Sequence, residues 1–301
     1  MSWIASACPC CLSEDFLKEP AILAPFVANR IFGWEPFKIT KEMKLYDFEE
    51  GHAYSICSSL ECNQCGLLFL DLRFSKKELK KYYNGYQTEE FFQQREKYEA
   101  SFSNRRKNNF QTGSGIIAGH FNKIPEVENF ISNSNFIPKH ILDYGGGDGT
   151  GTPFNKIAKI LHIFEVDNKD LKFGKPADIH TIYKNKYDLI LLRNVIEHTS
   201  CPDEILENIY KACSKDTIVY IEVPKEKILD KFPAGKRAVN KKIWHEHINI
   251  YNEESIKKLA QRMGFKILDF DVLKIGSGNS SPGDNDREHF MVNLKKQSEK
   301  I

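Results

Sequence analysis

Three groups of residues in this chain have the types and spacing that chemistry needs. The first is Lys242-Ile243-Trp244-His245-Glu246-His247-Ile248-Asn249, which packs two imidazoles and a carboxylate into three consecutive positions. A histidine titrates near neutrality, so it can take a proton from a reacting group, and a neighbouring carboxylate can orient it. The plainer alternative is a structural loop whose histidines bind backbone carbonyls. The pattern is not H-E-x-x-H, so metalloprotease chemistry is not indicated. The second group is Ile141-Leu142-Asp143-Tyr144-Gly145-Gly146-Gly147-Asp148-Gly149, an apolar run that ends in an acidic residue and a glycine-dense turn. Glycine takes positive φ and lacks the Cβ that would block a close ligand, so this loop reads as a nucleoside cradle. The dinucleotide fingerprint G-x-G-x-x-G asks for glycine at 150, where Thr150 stands, so NAD is not the expected ligand. The third group is Cys8-x-x-Cys11 with Cys62-x-x-Cys65. Two such knuckles bring four thiolates into a tetrahedron around zinc, and Gly66 suits the tight backbone after the second. Their separation exceeds that of a compact ribbon, so an insertion must loop out. Cys10 and Cys57 are spare, and Cys10 could stand in for a neighbouring ligand.

A βα rhythm positions the glycine loop. Strands are expected at 140–144, 161–166, 187–192 and 217–223, the last stopped by Pro224. Helices are expected at 152–159, with Pro153 near its start, at 202–211, and at 252–263, capped by Asn252 and ended by Gly264. A closing strand pair is expected at 265–273 and 289–294. Alternating strands and helices predict a mostly parallel sheet, where ligands sit at the carboxyl ends of the strands. Glu165 and Asp167 fall at such an end, and either could accept the hydroxyl hydrogens of a ribose. Strand alternation would point only one of them inward.

The expected organisation is a zinc-binding module at 1–74, a helical connector or lid at 75–110, and the α/β domain at 111–301. In the connector, Glu78 with nearby lysines reads as a solvated helix face. Tyr82, Tyr83 and Tyr86 fit either an acceptor pocket or a core-facing stripe. Arg105, Arg106 and Lys107 fit either a pyrophosphate contact or a solvated face. Lys+Arg 43 against Asp+Glu 41 gives a net charge of +2, which argues against a dedicated nucleic-acid binder. No apolar run reaches the roughly 18–20 residues that span a bilayer, and no secretory signal is visible, so a cytoplasmic protein with reduced cysteines is expected.

Taken together, the glycine loop, the acidic strand end and Tyr187-Asp188-Leu189-Ile190-Leu191-Leu192-Arg193-Asn194-Val195-Ile196-Glu197-His198 resemble the class I S-adenosylmethionine-dependent methyltransferases over roughly 110–301. The resemblance implies a Rossmann-like α/β fold, with a mostly parallel sheet and an antiparallel final strand. It implies that Asp143, Gly145, Gly147 and Gly149 pass beneath the cofactor, with Glu165 or Asp167 at its ribose. Asp178 and Ile179 would border the adenine, and Arg193 and Asn194 would lie beside the sulfonium. The stretch CNQCGLLFLDLRFSKKELKKYYNGY looks like the zinc-binding module carried by a subset of these enzymes, many of which act on nucleotide-linked sugars or other surface-glycan and natural-product precursors. The His-Glu-His segment is similar to the Y-H-E-H motif of sugar C-methyltransferases. That similarity implies proton-transfer roles for Glu246, His247 and His198, with His245 beside them. The motif's Tyr is Trp244 here, so C-methylation loses that phenol, and O- or N-methylation stays open. RNA or protein methylation with the zinc module as a dock, and a non-catalytic scaffold, are the alternatives.

Overall fold

The computed structural model describes residues 2–44, 50–86, 88–99, 122–132, 136–166, 170–276 and 286–297. Its centre is a seven-stranded sheet in the order Lys175–Pro176, Ile160–Phe164, His140–Tyr144, Leu189–Arg193, Ile218–Lys225, Asp286–Lys296, Phe265–Gly276. The first five strands run parallel, and Asp286–Lys296 is antiparallel to both its neighbours. The strand run Leu-Ile-Leu-Leu of Leu189–Arg193 is buried along its apolar length, as a central strand covered on both faces requires. The chain leaves His140–Tyr144 toward one edge and then crosses back to Leu189–Arg193 on the other side. That reversal opens a crevice at the carboxyl ends of these two strands, where the glycine loop lies.

Two helices illustrate why the sequence folds this way. Pro202–Ala212 has Pro at its first turn, Asp203 and Glu204 near its N-terminus and Lys211 near its C-terminus, and it buries Leu206 and Ile209. Glu253–Arg262 opens with a capping box, in which Asn252 accepts from the Ser255 amide at 2.8 Å and the Ser255 hydroxyl accepts from the Asn252 amide at 3.0 Å. The expected helix at 152–159 is absent; residues 151–157 form turns instead. Its polar side chains bond the loop rather than allow a helical ladder to start. Thr152 donates to Asp143 at 2.6 Å, Asn155 reaches the carbonyls of Gly149 and Thr150, and Phe154 sits at φ +61°. The expected helix face around Glu78 is solvated, with Lys76, Lys77, Lys80 and Lys81 exposed, and Glu78 has a further role. It closes a capping box with Ser75 at the start of Lys76–Tyr83.

A second, five-stranded sheet has the order Ile243–Trp244, Phe16–Leu23, Ile56–Cys62, Leu68–Leu70, Asn249–Ile250. Its three central strands belong to the N-terminal segment, but both outer strands come from either side of His245-Glu246-His247. The motif therefore bridges the two edges of a sheet built mainly from the first 70 residues. Trp244 explains its own identity here. It is fully buried in this module's core, and its indole N–H donates to the Ser59 hydroxyl at 2.8 Å. An indole fills that slot with large apolar area and one satisfied donor. No helix among the described residues is long and apolar enough to cross a membrane.

Candidate functional site

The glycine loop shapes the crevice through its backbone. A Cβ on Gly149 would stand 2.4 Å from the Phe173 carbonyl oxygen, and one on Gly145 2.7 Å from a Val195 methyl. Those two glycines are demanded by packing. Gly147 differs, because a Cβ there would meet nothing within 4 Å while φ is +60°. It is glycine for its conformation, and it faces open space. The Gly147 amide donates to Glu165 Oε2 at 2.9 Å, so the Glu165 carboxylate stands against the loop. Asp167 lies outside the described residues.

Asp143 is buried under the loop, and burial pushes its carboxyl up to about 6 despite the Thr152 hydrogen bond. Arg193 Nε donates to Glu222 at 2.9 Å and its Nη1 to the Gly151 carbonyl at 2.7 Å, which ties the loop to the adjacent strand end. Asn194 holds φ +54°, with its amide donating to the Glu222 carbonyl and its side-chain oxygen buried without a partner. A strained, unsatisfied residue of this kind at a crevice is typical of a ligand contact. Asp178 caps Ile179–Lys184 by accepting from the Thr181 amide and hydroxyl, both at 2.7 Å, and is exposed at the far rim.

The His-Glu-His side faces the same strand ends. His198, in the short turn after Leu189–Arg193, stacks edge-on to His247 with ring centres 4.7 Å apart. His198 Nδ1 lies 3.1 Å from the Glu246 carbonyl oxygen, and burial, with the charge of His247 adding, pushes this imidazole down to about 3. His247 Nδ1 lies 2.9 Å from Glu226 Oε1. Burial opposes charge on His247, but the Glu226 hydrogen bond and the surrounding carboxylates hold it above the ordinary range. His245 Nδ1 lies 3.4 Å from Glu99 Oε1. The Glu246 carboxylate accepts from the Tyr82 hydroxyl at 2.6 Å and has Arg95 at 3.7 Å. Burial would raise Glu246, yet Arg95 and the Tyr82 hydrogen bond keep it ionised below the usual carboxylate range.

Of the two alternatives for the connector tyrosines, the core-facing one is seen, with contacts to the His-Glu-His side added. Tyr82 packs in the module core while its hydroxyl holds Glu246, Tyr83 meets His198 edge-on at 5.9 Å, and Tyr86 packs on Tyr83. Arg105, Arg106 and Lys107 lie outside the described residues. Sequence reading did not single out Glu226, Glu99, Arg95, Glu197 or Glu222. One signal was present for Glu226, which falls at the carboxyl edge of the sheet just past the strand Ile218–Lys225; that strand runs through Pro224 rather than stopping there as expected.

The four knuckle cysteines meet. Cys8 and Cys65 sulfurs are 3.5 Å apart, as are Cys11 and Cys62, and all four lie within 4.8 Å of one another. Four thiols at this spacing suit a tetrahedral Zn–S site, whose sulfur–sulfur edges are about 3.8 Å for bonds near 2.3 Å. Arg262 clamps the first knuckle to the main domain through the Pro9 and Cys10 carbonyls at 2.7 and 2.9 Å. Cys10 is fully buried beside the cluster, and Cys57 lies in the module's apolar core.

A family model described as "Methyltransferase domain" matches residues 119–269, half of the chain, and leaves out the N-terminal module. No curated protein sequence matches. Solved structures that match include magnesium protoporphyrin IX methyltransferase from Synechocystis, at 15% identity and TM-score 0.43, covering 74% of this chain and 100% of that one. Another is 1,6-didemethyltoxoflavin-N1-methyltransferase from Burkholderia thailandensis, at 11% identity and TM-score 0.43, covering 67% of this chain and 90% of that one.

Proposed function

The chain belongs to the methyltransferase-domain family, and from its crevice we propose that it transfers a methyl group from S-adenosylmethionine to a small acceptor, a nucleotide-linked sugar or a related precursor of a surface glycan or natural product. The observation that carries the cofactor assignment is the charge and shape of the glycine-loop crevice. Asp143 and Glu165 put two carboxylates beside it, the charge of Glu222 being met by Arg193, and among the described residues no helix begins at the loop to offer a pyrophosphate its N-terminus. That field suits a sulfonium cation attached to a ribose. Bound here, S-adenosylmethionine supplies an electrophilic methyl group. Glu165 would hold the ribose hydroxyls beside Gly147, Asp178 and Ile179 would border the adenine, and Arg193 and Asn194 would fix the strand end beside the sulfonium.

The protein's own residues then prepare the acceptor. Each imidazole of the His-Glu-His loop is backed by a carboxylate, His247 by Glu226 and His245 by Glu99. Such a pair can take the acceptor's proton and hold the imidazolium that forms. Glu246, fixed by Tyr82 and Arg95, orients an acceptor hydroxyl or amine as a hydrogen-bond acceptor. The four thiols hold Zn2+, which staples the module that carries both flanks of this loop. Calorimetry with S-adenosylmethionine and S-adenosylhomocysteine tests the first step, and absence of binding by both sinks it. Labelled cofactor incubated with nucleotide-linked metabolites, followed by mass identification of the product, tests the acceptor class. Label found only in RNA or protein would replace it.

A further inference from the structure

Glu197 is 1% exposed, and neither of its carboxylate oxygens has a hydrogen bond. A buried carboxylate without donors is costly, so something must offset it. His198 points Nε2 at Glu197 Oε1 from 3.6 Å. The other ring nitrogen of His198 lies 3.1 Å from the Glu246 carbonyl oxygen, which can only accept. Nδ1 therefore carries the hydrogen, and a neutral ring leaves Nε2 a lone pair. His247 repeats the arrangement. Its Nδ1 faces the acceptor-only carboxylate of Glu226 at 2.9 Å and so carries a hydrogen, and Nε2 is the nitrogen that an ion would take in exchange for a proton. The ligating atoms of Glu197, His198 and His247 lie within 4.8 Å of one another. A cation among these atoms would supply the partner that both buried Glu197 oxygens lack.

We propose that Glu197, His198 and His247 bind a divalent first-row transition ion, such as Zn2+, Fe2+ or Mn2+, at the acceptor end of the crevice. Two imidazoles and one carboxylate form a ligand set that leaves coordination positions open. The 3.6 Å between His198 Nε2 and Glu197 Oε1 compares with an edge of about 3.4 Å for donors around a tetrahedral ion at bonds near 2.1 Å. The outer partners are also those of a metal centre. A carbonyl and a carboxylate take the far N–H of the two imidazoles, fixing tautomer and ring plane. Side-chain exposures of 17% for His198 and 33% for His247 leave a path for an ion and a ligand oxygen. The open positions fit a carbonyl or hydroxyl oxygen of the acceptor. That last statement rests on the methyl-transfer reading, and under it His245 with Glu99 remains to take the proton.

The test counts metal and needs neither cofactor nor acceptor. The full chain and Glu197→Gln are stripped with chelator under reducing conditions, reloaded with Zn2+, desalted and assayed by elemental mass spectrometry. The expected result is one equivalent fewer in Glu197→Gln, with the thiol-bound equivalent unchanged. Equal metal content in the two proteins overturns the proposal. If Glu197→Gln fails to fold, His247→Asn on the more exposed loop is read the same way. Mn2+ provides a second reading, because a hard ion is disfavoured by four thiols. Its paramagnetic signal should broaden with the native chain and stay sharp with the variant, and the same signal in both counts against the site. Cofactor binding measured in parallel separates the two ideas: retained binding with equal metal content removes the ion and leaves the transfer reading standing.

Discussion

The two walls of the crevice are built by opposite means. On the side proposed to hold the cofactor, the shape comes from a contiguous stretch, 143 to 152, and is set largely by backbone: glycines that packing or φ demands, and the Gly147 amide aimed at Glu165. On the side proposed to face the acceptor, the groups come from four separate segments. Tyr82, Arg95 and Glu99 lie on the connector, Glu197 and His198 follow one strand, Glu226 follows the next, and His245 to His247 bridge the edges of the N-terminal sheet. A wall made by local backbone should survive damage elsewhere. A wall made by convergence should fail when any support fails.

The largest expected effect follows from that difference. Cys62→Ser removes one of four thiols at the end of the strand Ile56–Cys62, against which Phe16–Leu23 and Leu68–Leu70 pair. Those two strands hold the flanks of the His-Glu-His loop. Loss of a structural zinc site costs several kcal/mol, about 10 or more in isolated zinc domains. Transfer should fall by about 10³ or more, while cofactor affinity changes by less than about tenfold, on the order of 1.4 kcal/mol. Calorimetry and turnover on the same preparation check it. Equal loss of both would mean that the two walls are one cooperative unit.

A sharper pair exchanges the effects. Glu246→Gln keeps the shape and still accepts from Tyr82, but loses the charge that faces Arg95. Turnover should drop by about 10²–10⁴ with cofactor affinity unchanged. Glu165→Ala should do the reverse. It removes the proposed acceptor for two ribose hydroxyls, and a charged hydrogen bond is worth about 1.5–3 kcal/mol, so Kd for S-adenosylhomocysteine should rise about 10–150-fold. A large Kd change in Glu246→Gln would place that carboxylate on the wrong wall.

Within the cofactor wall, two glycines should separate packing from ligand contact. Gly149→Ala drives a methyl group into the Phe173 carbonyl oxygen at 2.4 Å and imposes a left-handed backbone. It should destabilise the fold by about 3 kcal/mol. Gly147→Ala meets no atom within 4 Å, so it should cost only the left-handed conformation, about 1 kcal/mol, while still weakening the cofactor. Denaturant titration with and without S-adenosylhomocysteine reads both quantities. Equal stability losses would mean that Gly147 is also packed.

The same contrast explains what sequence made legible. The parallel sheet, the crevice edge and the glycine loop follow from contiguous patterns, such as Ile141 to Gly149 and the buried run of Leu189–Arg193, where period and composition report local structure. The expected helix at 152–159 failed for a local reason too: Thr152 and Asn155 had better partners in the loop than in a ladder. The acceptor wall was legible only as isolated residues. Nothing in the order of residues says that Glu99 meets His245, that Glu226 meets His247, or that Trp244 departs from the expected Tyr because it plugs the core beneath Ser59. Those facts depend on pairing between strands more than 170 positions apart.

The smallest effect tests the charge of the cofactor wall. Burial raises Asp143 to about 6, against an ordinary 3.8. Ionisation is therefore harder in the folded chain than in the unfolded one. The neutral carboxyl's contribution to stability is full below pH 3.8 and is lost as pH rises through about 6. Asp143→Asn keeps an oxygen for the Thr152 hydroxyl and removes the buried charge. Well above pH 6 the cofactor-free variant should be more stable than the native chain, by about 3 kcal/mol, and the gain should vanish by about pH 4. Its affinity for the cationic S-adenosylmethionine should fall more than that for the uncharged thioether of S-adenosylhomocysteine, since only the sulfonium gains from the carboxylate. Urea unfolding across pH 4–8, with calorimetry for both ligands, decides the matter. A variant less stable at pH 8 would show that the Asp143 charge is offset by Arg193 and the Thr152 hydroxyl, and that the proposed cofactor wall, like the other, depends on convergent side chains.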